Sequence, residues 1–416
     1  MKSSILCLAA IVQLVMANPV KIPLYKRSDF VSTETENLKN GMMGATVQIG
    51  NPPQNLTMAF DTTTGFSWVT ETQCGDTNCQ GRHAFDTRNS STIISTGQTF
   101  TMDYGDGTIN TTIYLDTFRY GGLTVKNMPF GGAYRMEGFE KGFDGYLGLG
   151  RNVNLNTSQT QYAKRDDLSV SGFVPNAFQQ GSGITSAQFG MYTTTTGSGF
   201  SQSGAVSASF SLPNGIETGD LVLEKRSDCN SEPDGYLIIG GVDKDALKGK
   251  FYHITIDDDS RSGSWEVPVK KARFKDDLHF DVAKKAKAVL SSSTDVIGLP
   301  NKQAEEFRKH WYAEYDKPGN TFKIPCCLMD RLTSFEIQLG DIKAVIPPQY
   351  WSHPRNTTTC CDMCRSHIGR SESDTDYVIG SSFTNAFYSD FDPEKERIGL
   401  ALKKHQPDDG LKLEEI

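Results

Sequence analysis

Residues 49–69 read IGNPPQNLTMAFDTTTGFSWV, from Ile49 to Val69, and this stretch decides the fold. From Ala45 the apolar residues alternate with period two. Val47 and Ile49 face one way, Asn51-Pro52-Pro53 forces a turn, and Leu56, Met58 and Phe60 share a face up to Asp61. The pattern predicts a strand, a turn and a second strand with one buried face. Outward from it, strands are expected over Thr99–Met102, Ile109–Tyr114 and Leu123–Val125. Tyr104-Gly105-Asp106-Gly107 forms a hairpin tip, because Asp-Gly suits a turn that needs positive φ. Strand patterns resume at Tyr236–Ile239 and Phe251–Ile256. A helix is expected after Pro300, where Ala304, Phe307 and Trp311 fall on one side, and a shorter one over Phe383–Tyr388. The polar runs Thr193–Ser207 and Glu224–Asp234 read as surface connections.

Composition narrows the class. The 416 residues carry 42 Lys and Arg against 50 Asp and Glu, a net charge of −8, which argues against a nucleic-acid partner. Glycine at 39 residues, with 17 prolines and 23 phenylalanines, suits many short strands joined by turns. Met1-Lys2 precedes a compact apolar stretch, Ile5 to Met16, and small residues follow. Residues 1–17 are therefore expected to be a secretory signal peptide, leaving a protein without a membrane anchor. Lys26-Arg27 is a candidate dibasic processing site that would make 18–27 a short pro-segment. The destination is extracellular, with a vacuole as the alternative.

Secretion bears on cysteine. Removing Cys7 with the signal leaves Cys74, Cys79, Cys229, Cys326, Cys327, Cys360, Cys361 and Cys364, an even number that fits pairing in an oxidising compartment. Sequons at Asn55, Asn89, Asn110, Asn156 and Asn356 are the expected glycosylation sites. The Cys361-x-x-Cys364-x-x-His367 spacing has the look of a zinc site, but in a secreted chain the disulfide reading wins, and no metal or cofactor is expected.

The chain also repeats itself. Met58-Ala-Phe-Asp-Thr-Thr-Thr-Gly65 has a counterpart in Ala288-Val-Leu-Ser-Ser-Ser-Thr-Asp295. Phe143-Asp-Gly-Tyr-Leu-Gly-Leu-Gly150 follows the first, and Tyr377-Val-Ile-Gly-Ser-Ser-Phe383 follows the second at a similar separation. Two matches in order predict a duplicated lobe.

With these segments in place, the sequence resembles the pepsin-like aspartic peptidases from about Asn40 to Lys404. The proline turn leads into a first active-site loop at Asp61, and Trp68 falls at that family's spacing. Cys74 and Cys79 match a small disulfide loop, and Tyr104-Gly105-Asp106 matches the tip of a flap. Gly235–Asp243 and Ile398–Ala401 match second-lobe strands. The resemblance implies an all-β, bilobal fold with few short helices and lobes over 28–195 and 196–404; the polar, charged composition of 405–416 reads as a tail. It implies a cleft that takes an extended peptide, with Tyr104, Gly105 and Asp106 on the flap and Trp68, Phe143 and Tyr146 near apolar subsites. It also implies a bridge between the Cys326/Cys327 and Cys360/Cys361 regions; two parallel bridges, with Cys229 joined to Cys364, complete the pairing. A monomer is expected.

The chemistry implied by the resemblance needs two aspartates. One carboxylate takes a proton from water while its protonated neighbour donates to the developing oxyanion. Here the pattern breaks. The family's Asp-Thr-Gly appears as Asp61-Thr62-Thr63 in the first loop and Ser291-Ser292-Ser293 in the second. Ser291 stands at the position of the second aspartate, and an alcohol is too weak an acid to trade protons near neutral pH. Thr63 puts a stiff β-branched side chain where glycine leaves room. Asp295 is expected to point elsewhere. Thr62 and Ser292 keep the hydroxyls that would link the loops. The pro-segment is also short for the family.

The expectation is a secreted pseudopeptidase that binds peptide or protein without cleaving it. A weak or unusual endopeptidase working through Asp61, and a structural secreted or wall protein, are the competing readings. A serine nucleophile at 291–293 lacks a Gly-x-Ser-x-Gly elbow. The basic run Lys270, Lys271, Arg273, Lys275, Lys284, Lys285 and Lys287 reads as a solvated strand face, and the scattered histidines carry no signal.

Overall fold

The alternation beginning at Ala45 becomes two antiparallel strands, Gly44–Ile49 and Gln54–Asp61, paired Ile49 to Gln54, Val47 to Leu56 and Ala45 to Met58. Leu56, Met58 and Phe60 are buried together, each contributing about 1.5–3 kcal/mol on leaving water. The computed structural model describes residues 20–24, 42–105, 107–151, 172–193, 235–256, 263–275, 278–353 and 359–416. The expected signal peptide, Lys26-Arg27, Asp106, Asn156, Cys229 and Asn356 lie outside the described residues.

Four strands hold the first active-site loop: β1 (Gln54–Asp61), β2 (Trp68–Thr70), β3 (Leu123–Glu137) and β4 (Gly145–Gly148). Four others hold the second: β5 (Lys287–Leu290), β6 (Ile297–Leu299), β7 (Ile368–Arg370) and β8 (Tyr377–Ile379). The pairing is the same in both. β1 runs parallel to β4, β4 antiparallel to β2, and β2 parallel to β3. Likewise β5 runs parallel to β8, β8 antiparallel to β6, and β6 parallel to β7. The repeat visible in the sequence is thus a repeat of topology. Met58 stands beside Gly145, and Ala288 beside Tyr377, so both quoted pairs of segments are strand neighbours.

The described residues form sheets of seven, nine, six and three strands, so the fold is mostly β with few helices and two lobes around a cleft. The six-stranded sheet draws on both halves: Val20–Leu24, Gly235–Ile239, Phe189–Thr193, Tyr388–Asp392, Arg397–Lys403 and Leu247–Thr255, in that order. The segments matched above to second-lobe strands therefore lie in a sheet shared by both halves. Lys21 anchors its edge strand, with Nζ 2.9 Å from Asp243 Oδ2 and over the Tyr236 ring. Where the halves meet, Phe189 stacks on Phe391, both lie against Trp265, and Trp265 Nε1 donates to the Leu149 carbonyl at 2.9 Å.

Three expectations need correction. The helix after Pro300 spans Asn301–His310 as expected, with Ala304 and Phe307 buried, but the short helix near 385 is Ser381–Thr384, and Tyr388 opens a strand because Tyr388–Asp392 pairs with Arg397–Ala401. The 405–416 segment is not a free tail: Lys412–Glu415 pairs with Ile342–Val345, and Leu411 and Leu413 are buried. The cysteine scheme also changes. Cys74 joins Cys79, but Cys326 joins Cys364 and Cys327 joins Cys360; Cys361 is exposed and has no disulfide. The cause is ladder register. Ile324 lies opposite Cys364, and the Cys326 N–H continues the ladder to the Asp362 carbonyl, bringing the Cys326 and Cys364 Cα atoms within 5.0 Å. Cys364 is thereby unavailable to Cys229 and to a metal.

Candidate active-site cleft

Each loop is clamped by the strand that returns beneath it. Gly150 donates its N–H to the Thr64 carbonyl at 2.9 Å, and Ser381 donates to the Thr294 carbonyl at 2.7 Å. Glycine is required for that approach: a Cβ on Gly150 would lie 2.4 Å from the Thr64 carbonyl carbon, and one on Gly380 2.4 Å from the Val296 oxygen. The loops also grip one another. Thr62 Oγ1 donates to the Leu290 carbonyl at 2.8 Å and accepts from the Ser292 N–H at 3.0 Å; Ser292 Oγ donates to the Phe60 carbonyl at 2.6 Å and accepts from the Thr62 N–H at 3.1 Å. All four bonds join the two halves. Thr62→Val, which keeps the shape and deletes the hydroxyl, is expected to lower stability by about 2 kcal/mol, since two buried backbone groups lose their partners. Denaturant titration of the purified protein checks it.

Asp61 is fully buried at the end of β1. Its Oδ1 accepts the Thr63 N–H at 2.9 Å and the Thr63 hydroxyl at 2.5 Å, and the Ser293 hydroxyl of the other loop also bonds to this carboxyl. Ser291 copies the turn: its Oγ accepts the Ser293 N–H at 3.3 Å, as Asp61 Oδ1 accepts the N–H two residues on. A hydroxyl can therefore replace the carboxylate in shaping the loop. Ser291 Oγ lies 3.2 Å from Ser293 Oγ, and burial pushes the Asp61 carboxyl up to about 6, against the downward pull of the Thr63 hydroxyl and N–H and the Ser293 hydroxyl.

The other carboxylate of the second loop, Asp295, is buried and directed to His367, whose Nδ1 lies 3.1 Å from Asp295 Oδ2. His353 packs against the same ring at 4.4 Å between centroids. Sequence reading treated the histidines as silent. His367 follows Cys364 by three residues, but only the ladder that brings β7 beside β6 turns that spacing into a contact.

Between the loops runs a cleft of about 500 Å³. Its walls include Thr63, Ser291 and Ser293 on the floor, Tyr104 and Gly105 on the flap, and Tyr146 in the first half. The flap is the hairpin of Ile94–Asp103 and Thr108–Tyr120, and it is latched where Trp68 Nε1 donates to Tyr104 Oη at 3.0 Å. Trp68 and Phe143, expected near apolar subsites, pack behind the cleft wall, Trp68 against Phe139 and Tyr146. Trp68 is fully buried, and Phe143 stacks on Tyr146 at 5.0 Å with the Arg82 guanidinium 4.9 Å from its ring. Phe139, which sequence reading missed, supplies the apolar wall, together with Met42 and Met102. Phe139 sits in the loop after β3, where no periodicity marks it. Of the sequons, Asn55 and Asn89 are exposed, and Asn110 is partly buried with Oδ1 accepting from Thr101 Oγ1 at 2.8 Å.

The family model described as "Eukaryotic aspartyl protease" matches residues 43–207 and 223–403. Gastricsin of Callithrix jacchus is 23% identical over 91% of this chain and 86% of its own length. Cathepsin E-B of Xenopus laevis is 22% identical over 85% and 78%, and pregnancy-associated glycoprotein 4 of Ovis aries 23% over 92% and 88%. Among solved structures, the aspartic proteinase from Irpex lacteus aligns with a TM-score of 0.68 and 19% identity, covering 94% of this chain and 99% of that one, a likeness of fold.

Proposed function

Because this chain belongs to the eukaryotic aspartyl protease family yet carries one carboxylate where that chemistry uses two, we propose that it is a secreted glycoprotein that holds an extended peptide or protein segment in its cleft without cleaving it. The observation that supports this reading is a serine hydroxyl, Ser291, following β5 where Asp61 ends β1 in the repeated topology, bonded to Ser293 at 3.2 Å. Water attack requires one acid to give a proton while another accepts one, and an alcohol does neither in the useful pH range. Thr63 adds to the loss, because its side chain lines the cleft and occupies Asp61 Oδ1, where glycine would leave the carboxylate open.

Binding asks less of the site. An extended segment pairs through its backbone with a flap and needs no proton transfer. The loops, the flap latch and the cleft volume are kept by Thr62, Ser292, Trp68 and Tyr104. Among the described residues no helix is long and apolar enough to cross a membrane. The test is photo-crosslinking of a labelled unfolded peptide, followed by mass measurement of the captured species. Saturable capture of intact peptide, displaced by unlabelled peptide, is the expected result. Capture of fragments would favour an endopeptidase working through Asp61, and no capture would favour a structural protein.

A further inference from the structure

The six-stranded sheet carries a second cavity, of about 620 Å³, that shares no residue with the cleft. Its charge is positive. Lys244, Lys395 and Arg397 line it beside His253, and among the described residues no acidic side chain does. Burial and the nearby Arg397 hold the His253 imidazole below its usual range, so it is neutral in mild base.

The ladder sets two buried acids beneath these groups. Asp390 pairs with Gly190 on one side and Gly399 on the other, and Gly399 pairs with His253. Residues opposite one another in an antiparallel ladder share a face, so Asp390 points to the side of the sheet that carries His253. Asp392, two residues on, shares that face and lies opposite Arg397. Both aspartates are fully buried, but they are satisfied differently. Asp392 Oδ2 lies 2.9 Å from Lys395 Nζ and 3.4 Å from Arg397 Nε, and its Oδ1 accepts the Lys395 N–H at 3.1 Å. It anchors two long cations at the cavity. Asp390 Oδ2 accepts from Nε2 of Gln188, a lining residue, at 2.7 Å, while Asp390 Oδ1 has no hydrogen-bond partner. A buried polar atom left alone is costly, and it marks a place where a ligand can supply the missing donor.

We propose that this cavity binds hydrogen phosphate, with Arg397 and Lys395 holding its oxygens and Asp390 Oδ1 accepting its remaining proton. The inference is independent of what the cleft does. Three cations exclude a cationic ligand, and guanidinium and ammonium groups are the usual partners of phosphate oxygens. Cations alone would take any anion. A carboxylate among them repels an anion that has no proton and accepts a hydrogen bond from one that has. Burial pushes the Asp390 carboxyl up to about 7, with Gln188, Arg397 and Lys395 pulling it down and Asp392 pushing it up, so at pH 8 it is ionised and acts as the acceptor.

The test is isothermal titration calorimetry of the purified protein at pH 8 and constant ionic strength, with inorganic phosphate, sulfate and glycerol phosphate as ligands. At that pH inorganic phosphate keeps one proton, whereas sulfate and the phosphomonoester keep none. Phosphate is expected to bind at least about tenfold tighter than either. Asp390→Asn, which can still bond to Gln188, is expected to bring the three within about twofold of one another by admitting sulfate, and that sulfate binding shows the variant to be folded. Arg397→Gln, which leaves Lys395 on Asp392, is expected to weaken all three about tenfold. Equal affinity for phosphate and sulfate in the natural sequence, or binding of neither, overturns the proposal. So does a phosphomonoester that binds as tightly as phosphate, because the proton is then not being read. A preference that survives Asp390→Asn, or affinity untouched by Arg397→Gln, places the ion elsewhere and overturns it as well.

Discussion

Thr63→Gly/Ser291→Asp/Ser293→Gly is expected to cleave an unfolded protein at acid pH at least about a hundredfold faster than the natural sequence. The scaffold is ready for it. β1 and β5 deliver the two loops in the same topology, and four hydrogen bonds through Thr62 and Ser292 hold them together. Ser291 is buried at the end of β5, where the repeated topology matches Asp61 at the end of β1, so an aspartate there is expected to bring two carboxyls together, where they share a proton instead of both ionising. Removing Thr63 and Ser293 clears the hydroxyls that now bond to Asp61 and Ser291. Acid-dependent cleavage by a folded triple variant, lost again on Asp61→Ala, would show that these substitutions are what silences the site. A triple variant that folds, binds peptide and stays inactive would place the cause elsewhere in the cleft.

Asp61→Asn is expected to stabilise the protein by about 3 kcal/mol at pH 7 and not at all below pH 4. The sign follows from burial. In the folded chain the Asp61 carboxyl is pushed up to about 6 from an ordinary 3.8. Between those two values the native state keeps a proton that the unfolded chain has released, so stability falls as pH rises through the window. The penalty is absent below about pH 4, where both states are protonated, and complete above about pH 6. Asparagine never ionises, so it escapes the penalty. Denaturant titrations of both proteins at the two pH values check it. A gain of the same size at both would mean that Asp61 is not kept at the cost of a buried charge.

Much of the fold was legible because it rests on local rules. The alternation at Val47, Ile49, Leu56, Met58 and Phe60 needs nothing beyond the pleat, and the two loops match because each must leave a strand and be clamped by a glycine. Ser291 could be placed just past the end of a strand since Ala288-Val-Leu fixes its register. What stayed hidden depends on distant pairing. The choice of Cys364 over Cys361 as partner of Cys326 is set by where one strand begins opposite another, and cysteine spacing does not encode it. The contact of His367 with Asp295 arises the same way. Phe139 in the cleft wall stayed hidden because it sits in a loop without periodicity, while Phe143 stacks on Tyr146 beneath Arg82.

The charged segment after Lys404 misled for a different reason. Its composition is polar, yet Leu411 and Leu413 alternate with Lys412 and Glu414, enough to cover the edge of a sheet. Period-two alternation over so few residues carries little signal on its own.

The account stands on the inability of Asp61 to hydrolyse a peptide bond without a second acid. The most direct measurement is prolonged incubation of the purified, natural-sequence protein with an unfolded protein from acid to neutral pH, beside Asp61→Ala, with products resolved by mass spectrometry. The prediction is that both leave the substrate intact at every pH. Cleavage by the natural sequence that disappears in Asp61→Ala would contradict it.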